Sequence, residues 1–393
     1  MALSIFLALV LALQGGFAKA LHPWVKRGWW RTLNWSLLAL NLPMLVYVGL
    51  RATGALPSLL GALRPFARVG LYLQVLAVLV IAWAALTALA WRLKLRTARM
   101  EAADDVPESP ARRAFLRRSG LMGVGLGAAT AATGSREAYG DPGLTRLHLA
   151  FPDLPPGLDG LRLAFLSDLH AGPLMGASHL RRWRELTEAE RPDLLLFGGD
   201  FVDSLPEQLP PVIEAFAGFK ASLGAFAVLG NHDYFEDPRP IWRDLEAAGI
   251  RMLENAHAVP DRGGASLALI GLQDPMARNV GFRGLRLGPG PHPDQATAGL
   301  GEGPFRLCLA HRPSMVDAAL ATGARLILSG HTHGGQINLL PGVSTARILG
   351  PYTGGLYDLG AARLLVSRGL GVVGLPLRIQ APPEIVVATL VRR

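Results

Sequence analysis

A chain of 393 residues is too long for one small domain. It is 50% hydrophobic and only 18% charged, apolar for a soluble protein, and its one cysteine, Cys308, excludes an internal disulfide or a cysteine-rich zinc site. The formal net charge of +9 is uneven: residues 1–139 carry 16 Lys/Arg against 5 Asp/Glu, and residues 140–393 carry 23 against 25. The basicity therefore belongs to the apolar third, where it reads as membrane topology. The near-neutral remainder argues against a nucleic-acid partner.

Three apolar runs come first, and residues 1–92 are expected to form about three transmembrane helices. Ala2 to Phe17 is short for a spanning helix and has the form of an uncleaved signal segment. Leu33 to Leu50 carries Asn41 and Pro43, tolerable if neighbouring helices cover them. Val69 to Trp91 is the strongest, with more than 20 residues and no charge.

Residues 93–139 read as a basic linker. Arg112-Arg113-Ala114-Phe115-Leu116-Arg117 precedes a mild fourth apolar run, Leu121 to Ala132. The pair of arginines before Phe-Leu resembles a twin-arginine export signal, although its internal position fits a stop-transfer anchor equally well. The loop before this run holds eight Lys/Arg, more than the loops before it. Positive-inside counting therefore places residues 140–393 outside the cytoplasm, across a bacterial inner membrane.

From about residue 143 the pattern changes. Short apolar runs at Leu161–Leu166, Leu194–Phe197, Ala225–Leu229, Leu267–Leu272, Phe305–Ala310 and Leu326–Leu328 read as strands buried on both faces. Amphipathic stretches at Ser178–Glu190, Pro211–Ala221, Pro240–Ala248 and Pro313–Ala321 intervene as helices. This alternation predicts a layered α/β fold. Leu287–Gly303, rich in Gly and Pro, reads as a surface loop.

Five segments follow these runs: Ser167-Asp168-Leu169-His170, Gly198-Gly199-Asp200, Gly230-Asn231-His232-Asp233, Ala310-His311 and Gly330-His331-Thr332-His333-Gly334. Polar groups at the carboxyl ends of strands in an open sheet converge on one crevice. Imidazoles with carboxylates suit borderline transition metals such as Mn, Fe, Zn or Co. A pair of such cations neutralises a phosphate ester and lowers the pKa of a bound water. In Asp-X-His an extended backbone would turn Asp168 and His170 to one side, and His331 and His333 likewise.

Taken together and in order, the five blocks resemble the signature of the calcineurin-like metallophosphoesterases. Gly334-Gly335-Gln336-Ile337, Ser367-Arg368-Gly369-Leu370-Gly371 and Pro383-Glu384-Ile385 are similar to the membrane-anchored bacterial branch. The resemblance covers about residues 140–393. It implies a β-sandwich core flanked by helices, with two divalent metal ions. One ion would be held by Asp168, His170, Asp200 and His333, the other by Asp200, Asn231, His311 and His331. His232 would protonate the leaving oxygen, with Asp233 as its orienting neighbour. The expected reaction is attack of a metal-bound hydroxide on a phosphodiester, pyrophosphate or phosphomonoester, with a lipid-linked or envelope substrate favoured by the tether. A nuclease or cyclic-nucleotide phosphodiesterase and an inert membrane scaffold are the alternatives. Arg312 reads equally as a phosphate contact or a solvated arginine. The remaining histidines, His22, His148, His179, His257 and His292, match no block, and Cys308 reads as a buried inert thiol.

Overall fold

The computed structural model describes residues 110–279, 286–338, 340 and 342–393, with Trp35, Leu42 and Val46. Apart from those three, the apolar runs of residues 1–92 lie outside the described residues. The chain divides into two units between Thr133 and Gly134.

Helix α1 spans Pro110–Tyr139 and carries the paired arginines and the fourth apolar run. No helix among the described residues is long and apolar enough to cross a membrane. The physical reason is length: Leu121 to Ala132 rises about 18 Å, short of a hydrocarbon core of about 30 Å.

The second unit begins with the last turns of α1, whose Gly134 carbonyl accepts from the Arg378 amide (3.0 Å). It continues through β1 (Gly143–Phe151), β2 (Arg162–Leu166), α2 (Ala177–Ala189), β3 (Leu194–Phe197), α3 (Pro210–Phe216), β4 (Ala225–Ala227), α4 (Arg239–Ala247) and β5 (Ile250–Met252). Then come β6 (Ala256–Ala258), β7 (Asp261–Arg262), β8 (Ala265–Leu272), α5 (Pro293–Ala296), β9 (Phe305–Ala310), α6 (Val316–Ala321), β10 (Leu326–Ser329), β11 (Gly355–Asp358), β12 (Arg363–Val366) and β13 (Glu384–Arg392).

These strands form two sheets, ordered β1-β13-β2-β3-β4-β5 and β11-β12-β10-β9-β8-β6, with β7 paired to β8. Strands β2 to β5 are parallel, as are β8, β9, β10 and β12. Side-chain alternation explains why the apolar runs are continuous. Leu163, Phe165, Leu194, Leu196, Leu307, Leu309, Leu326 and Leu328 face the space between the sheets. Their neighbours Ala164, Leu195 and Phe197 turn outward onto Leu180, Trp183, Val212, Phe216, Ile241 and Leu245 of helices α2, α3 and α4. On the far side Ile270, Cys308, Ala310 and Ile327 pack under Ala296, Met315 and Ala319. The result is two stacked sheets with helices on both outer faces, the mixed α/β architecture expected.

Several details differ from the sequence reading. Helix α3 ends at Phe216, because Gly218 takes a left-handed φ of 67° soon after. Pro313–Met315 forms a separate 3-10 turn before α6. Strands β1 and β13 pair along their whole length and extend the first sheet beyond the predicted strands. Cys308 is fully buried, and burial pushes its thiol up to about 12.

Glu254 follows β5 and ties it to β4. Its carboxylate accepts from the Leu229 amide (2.7 Å) and from the Tyr234 hydroxyl (2.5 Å). Burial raises this carboxyl to about 8. The folded protein therefore keeps a proton there that the unfolded chain releases near pH 4.5, so stability falls as pH rises from about 5 to about 8. Glu254→Gln should flatten that part of the melting temperature's pH profile, measured by calorimetry; an unchanged slope would place its source elsewhere.

Candidate metal centre

The five blocks all occupy loops at the carboxyl ends of β2, β3, β4, β9 and β10. Because these strands are parallel within each sheet, their ends open on the same edge of the sandwich. Asp168, His170, Asp200, His311 and His333 are buried there, with Asn231 at 9% exposure and His331 and His232 half-buried. The sequence-predicted residues are therefore brought together without exception.

Their backbone is not extended, as Asp-X-His had suggested. Asp168, His170, Asp200, His331 and His333 all take left-handed φ values, between 47° and 71°. Asp and His tolerate this region better than most residues, yet it still costs about 1–3 kcal/mol per residue. Left-handed conformations at alternate residues, rather than strand pleat, accompany the approach of residues i and i+2. The loops are also packed too tightly for side chains: a Cβ on Gly330 would lie 1.9 Å from Ser167 Oγ, and one on Gly230 would lie 2.2 Å from Asp200 Oδ1.

Two clusters of donor atoms meet at Asp200. In the first, His170 Nε2 lies 3.1 Å from His333 Nε2 and 3.6 Å from Asp200 Oδ2, and His333 Nε2 lies 3.7 Å from Asp168 Oδ1. In the second, His311 Nε2 lies 3.3 Å from the same Asp200 Oδ2 and 3.1 Å from Asn231 Oδ1. His331 joins Asp200 and His311 with its ligand atom within 4.8 Å of theirs. His170, Asp200 and His232 make a third such group.

Hydrogen bonds around the clusters orient them. His311 Nδ1–H donates to the Gly198 carbonyl (2.7 Å), leaving Nε2 to face the cluster. With the Nε2 proton displaced, Nε2, Asn231 Oδ1 and Asp200 Oδ2 would be three converging electron-pair donors, a set that suits a cation between them. The same holds for the facing Nε2 atoms of His170 and His333. Asp168 accepts from the His331 amide (2.9 Å), and Asp200 Oδ1 accepts from the His232 amide (2.7 Å). His232 Nδ1–H donates to the Asp203 carbonyl (2.6 Å), which fixes its tautomer and ring.

Electrostatics match this chemistry. Burial, reinforced by neighbouring imidazoles, lowers His170 and His331 to about 3, and His333 falls well below the usual histidine range for the same reason. Neutral imidazoles have the free lone pair that a metal requires. Burial opposes ionisation of Asp200, but His311, His232 and His170 hold it well below the usual carboxylate range. Burial raises Asp168 to about 6. Burial works against a charged His311, yet Asp200 and Asp168 push it up to about 10.

Three residues do something other than the sequence suggested. Asp233 does not orient the His232 ring. Its carboxylate accepts from the amides of Asp200, Phe201, Val202 and Gly230, stapling two ligand loops together. Arg312 is neither solvated nor free, because it pairs in a fork with the buried carboxylate of Asp274 at 2.6 and 2.7 Å. Arg378, unnoticed in the sequence, is fully buried. It donates to the carbonyls of Arg368, Gly369, Gly371 and Ala381, and its Nη2 lies 3.3 Å from His333 Nδ1. Its signal was a lone charge between Leu377 and Ile379. Among the other histidines, His148 is exposed on β1, His257 bonds the Ala296 carbonyl, and His292 caps α5. His22 lies outside the described residues.

Residues 161–335 match the family model for the calcineurin-like phosphoesterase domain. A "transmembrane protein with metallophosphoesterase domain" from Danio rerio is 34% identical over 68% of this chain and 62% of its own. The metallophosphoesterase YkuE from Bacillus subtilis is 32% identical over 71% of this chain and 97% of its own. Among solved structures, a 5'-nucleotidase precursor from Thermus thermophilus is 20% identical, covering 58% of this chain and 54% of its own with a TM-score of 0.38. The chain spans about three-fifths of the zebrafish relative's length and nearly all of the Bacillus one. It belongs to the calcineurin-like metallophosphoesterases, a family of metal-dependent phosphoester hydrolases.

Asp233→Asn should leave two of four buried amides without an acceptor, at a cost of about 1–3 kcal/mol each. Urea unfolding checks this; a loss below about 1 kcal/mol would show that the staple matters little.

Proposed function

We propose that the chain is a membrane-tethered, two-metal phosphoesterase that hydrolyses a phosphodiester, pyrophosphate or phosphomonoester of a lipid-linked or envelope component on the extracytoplasmic side of a bacterial inner membrane. The observation that carries the two-metal part is the position of Asp200 Oδ2. It lies 3.6 Å from His170 Nε2 and 3.3 Å from His311 Nε2, so one carboxylate oxygen faces both clusters.

Asp168, His170, Asp200 and His333 would hold one divalent transition metal, and Asp200, Asn231, His311 and His331 the other. Two such cations, when bound, neutralise phosphate charge and acidify a coordinated water. Everything else falls to the protein. Asp200 and Asp168 supply charge that balances the cations within a buried site. His232 would stand at the open side of the clusters, its Nδ1–H committed to the Asp203 carbonyl. Its other ring nitrogen is thereby the one available to contact the phosphate and deliver a proton to the leaving oxygen. The membrane part rests on the uncharged run from Val69 to Trp91 and on the concentration of Lys/Arg in residues 1–139.

His232→Ala should retain both metals and lose about 10²–10⁴-fold in turnover, whereas Asp200→Ala should lose metal. Elemental analysis alongside hydrolysis of an aryl phosphodiester with added manganese distinguishes them. Equal metal loss in both variants would overturn the division of roles.

A further inference from the structure

The segment from Leu340 to Leu356 is bonded directly to the metal-site loop. Ser344 Oγ donates to the Gly334 carbonyl (2.9 Å), and Thr332 Oγ1 donates to the Thr353 carbonyl (2.9 Å). Asn338 links the two, accepting from the Thr345 amide (2.9 Å) and donating to Gly334 (3.0 Å). The segment is thus fixed to residues on both sides of His333.

Its outer surface is apolar. Leu340, Val343, Ile348, Leu349 and Leu356 are exposed, with Ile348 at 91%. Single exposed apolar residues are normal on a folded surface. Here, four of the nine exposed large hydrophobics described from Gly134 onward fall in one loop, and a fifth, Leu356, is on β11 directly after it. The only charged residue between Leu340 and Tyr357 is Arg347, and it is exposed. Tyr352 and Tyr357 stack edge to face at 5.0 Å and pack inward on the core, so they anchor the segment from beneath. Bare aliphatic tips and one cation without a single carboxylate match a bilayer interface of acyl chain and anionic phosphate. A soluble protein partner would not require that charge pattern.

We propose that the 340–356 loop enters the head-group region of an anionic bilayer and holds the metal centre at the membrane surface, so that phosphate esters borne by lipid are the substrates within reach. This deepens the tethered-enzyme reading and rests on it.

Cysteine labelling tests it in the full chain. Cys308 is buried with its thiol pushed up to about 12, so an introduced surface cysteine is labelled selectively. Ile348→Cys and, as an independent position, Leu349→Cys are to be labelled with bimane. Val259→Cys is the control, because it is exposed at 43% and follows β6, which runs antiparallel to β8 and so leads away from the end of β8 nearest the metal centre. Each protein is reconstituted into phosphatidylcholine–phosphatidylglycerol vesicles, with and without brominated acyl chains. The expected result is a blue shift and loss of emission with brominated lipid at positions 348 and 349, and neither at 259. Vesicle-bound protein with all three probes equally aqueous would overturn the loop proposal and leave the tether intact. A blue shift without bromine quenching would also overturn it, by showing that protein, from this chain or a second copy, covers the loop. Protein that does not float with the vesicles would overturn the tether and the loop proposal together.

Discussion

The active site depends on keeping one carboxylate, Asp200, ionised while it is almost wholly removed from water. An isolated buried carboxylate would take up a proton. Asp200 escapes this because three imidazoles surround it and the His232 amide bonds its second oxygen. Asp233 in turn holds the amides of Asp200, Phe201 and Val202 and, across the gap, that of Gly230. The ends of β3 and β4 are thereby locked at a fixed separation. Without that lock, the two donor clusters that share Asp200 would not be held in register.

Strain and charge are concentrated at the same place. Five candidate ligands occupy left-handed backbone, and a fully buried arginine lies against His333. Each feature would be unfavourable alone. The sandwich beneath tolerates them because the strands leading into the loops are buried on both faces. Arg378 is satisfied by carbonyls instead of a carboxylate, so it pins the Arg368–Ala381 segment without pairing with the acids of the candidate site. The last turns of α1 reach this segment, since Gly134 accepts from the Arg378 amide and Glu137 accepts from that of Ala381.

Much of this was legible in the sequence for a definite reason. Strands buried on both faces leave unbroken apolar runs, and polar residues at their ends stand out against them. Thus β3 and β9 fall at the predicted residues, and all eight candidate site positions share one pocket. What was not legible depended on long-range pairing or on backbone twist. Strands β1 and β13 pair across more than 200 residues, and β1 breaks its apolar positions with Thr145, Arg146 and His148. The left-handed turns at Asp168 and His170 carry no signature beyond the residue types themselves. Asp233 sits beside His232 in sequence, yet its carboxylate bonds the backbone, which only the folded loops reveal.

The proposal that Asp200 would be shared by two metals is tested most directly by electron paramagnetic resonance of the manganese-loaded protein. A shared carboxylate oxygen predicts an exchange-coupled signal from a pair of Mn(II) ions, lost in Asp200→Asn. Uncoupled six-line spectra at two equivalents of bound manganese would contradict it.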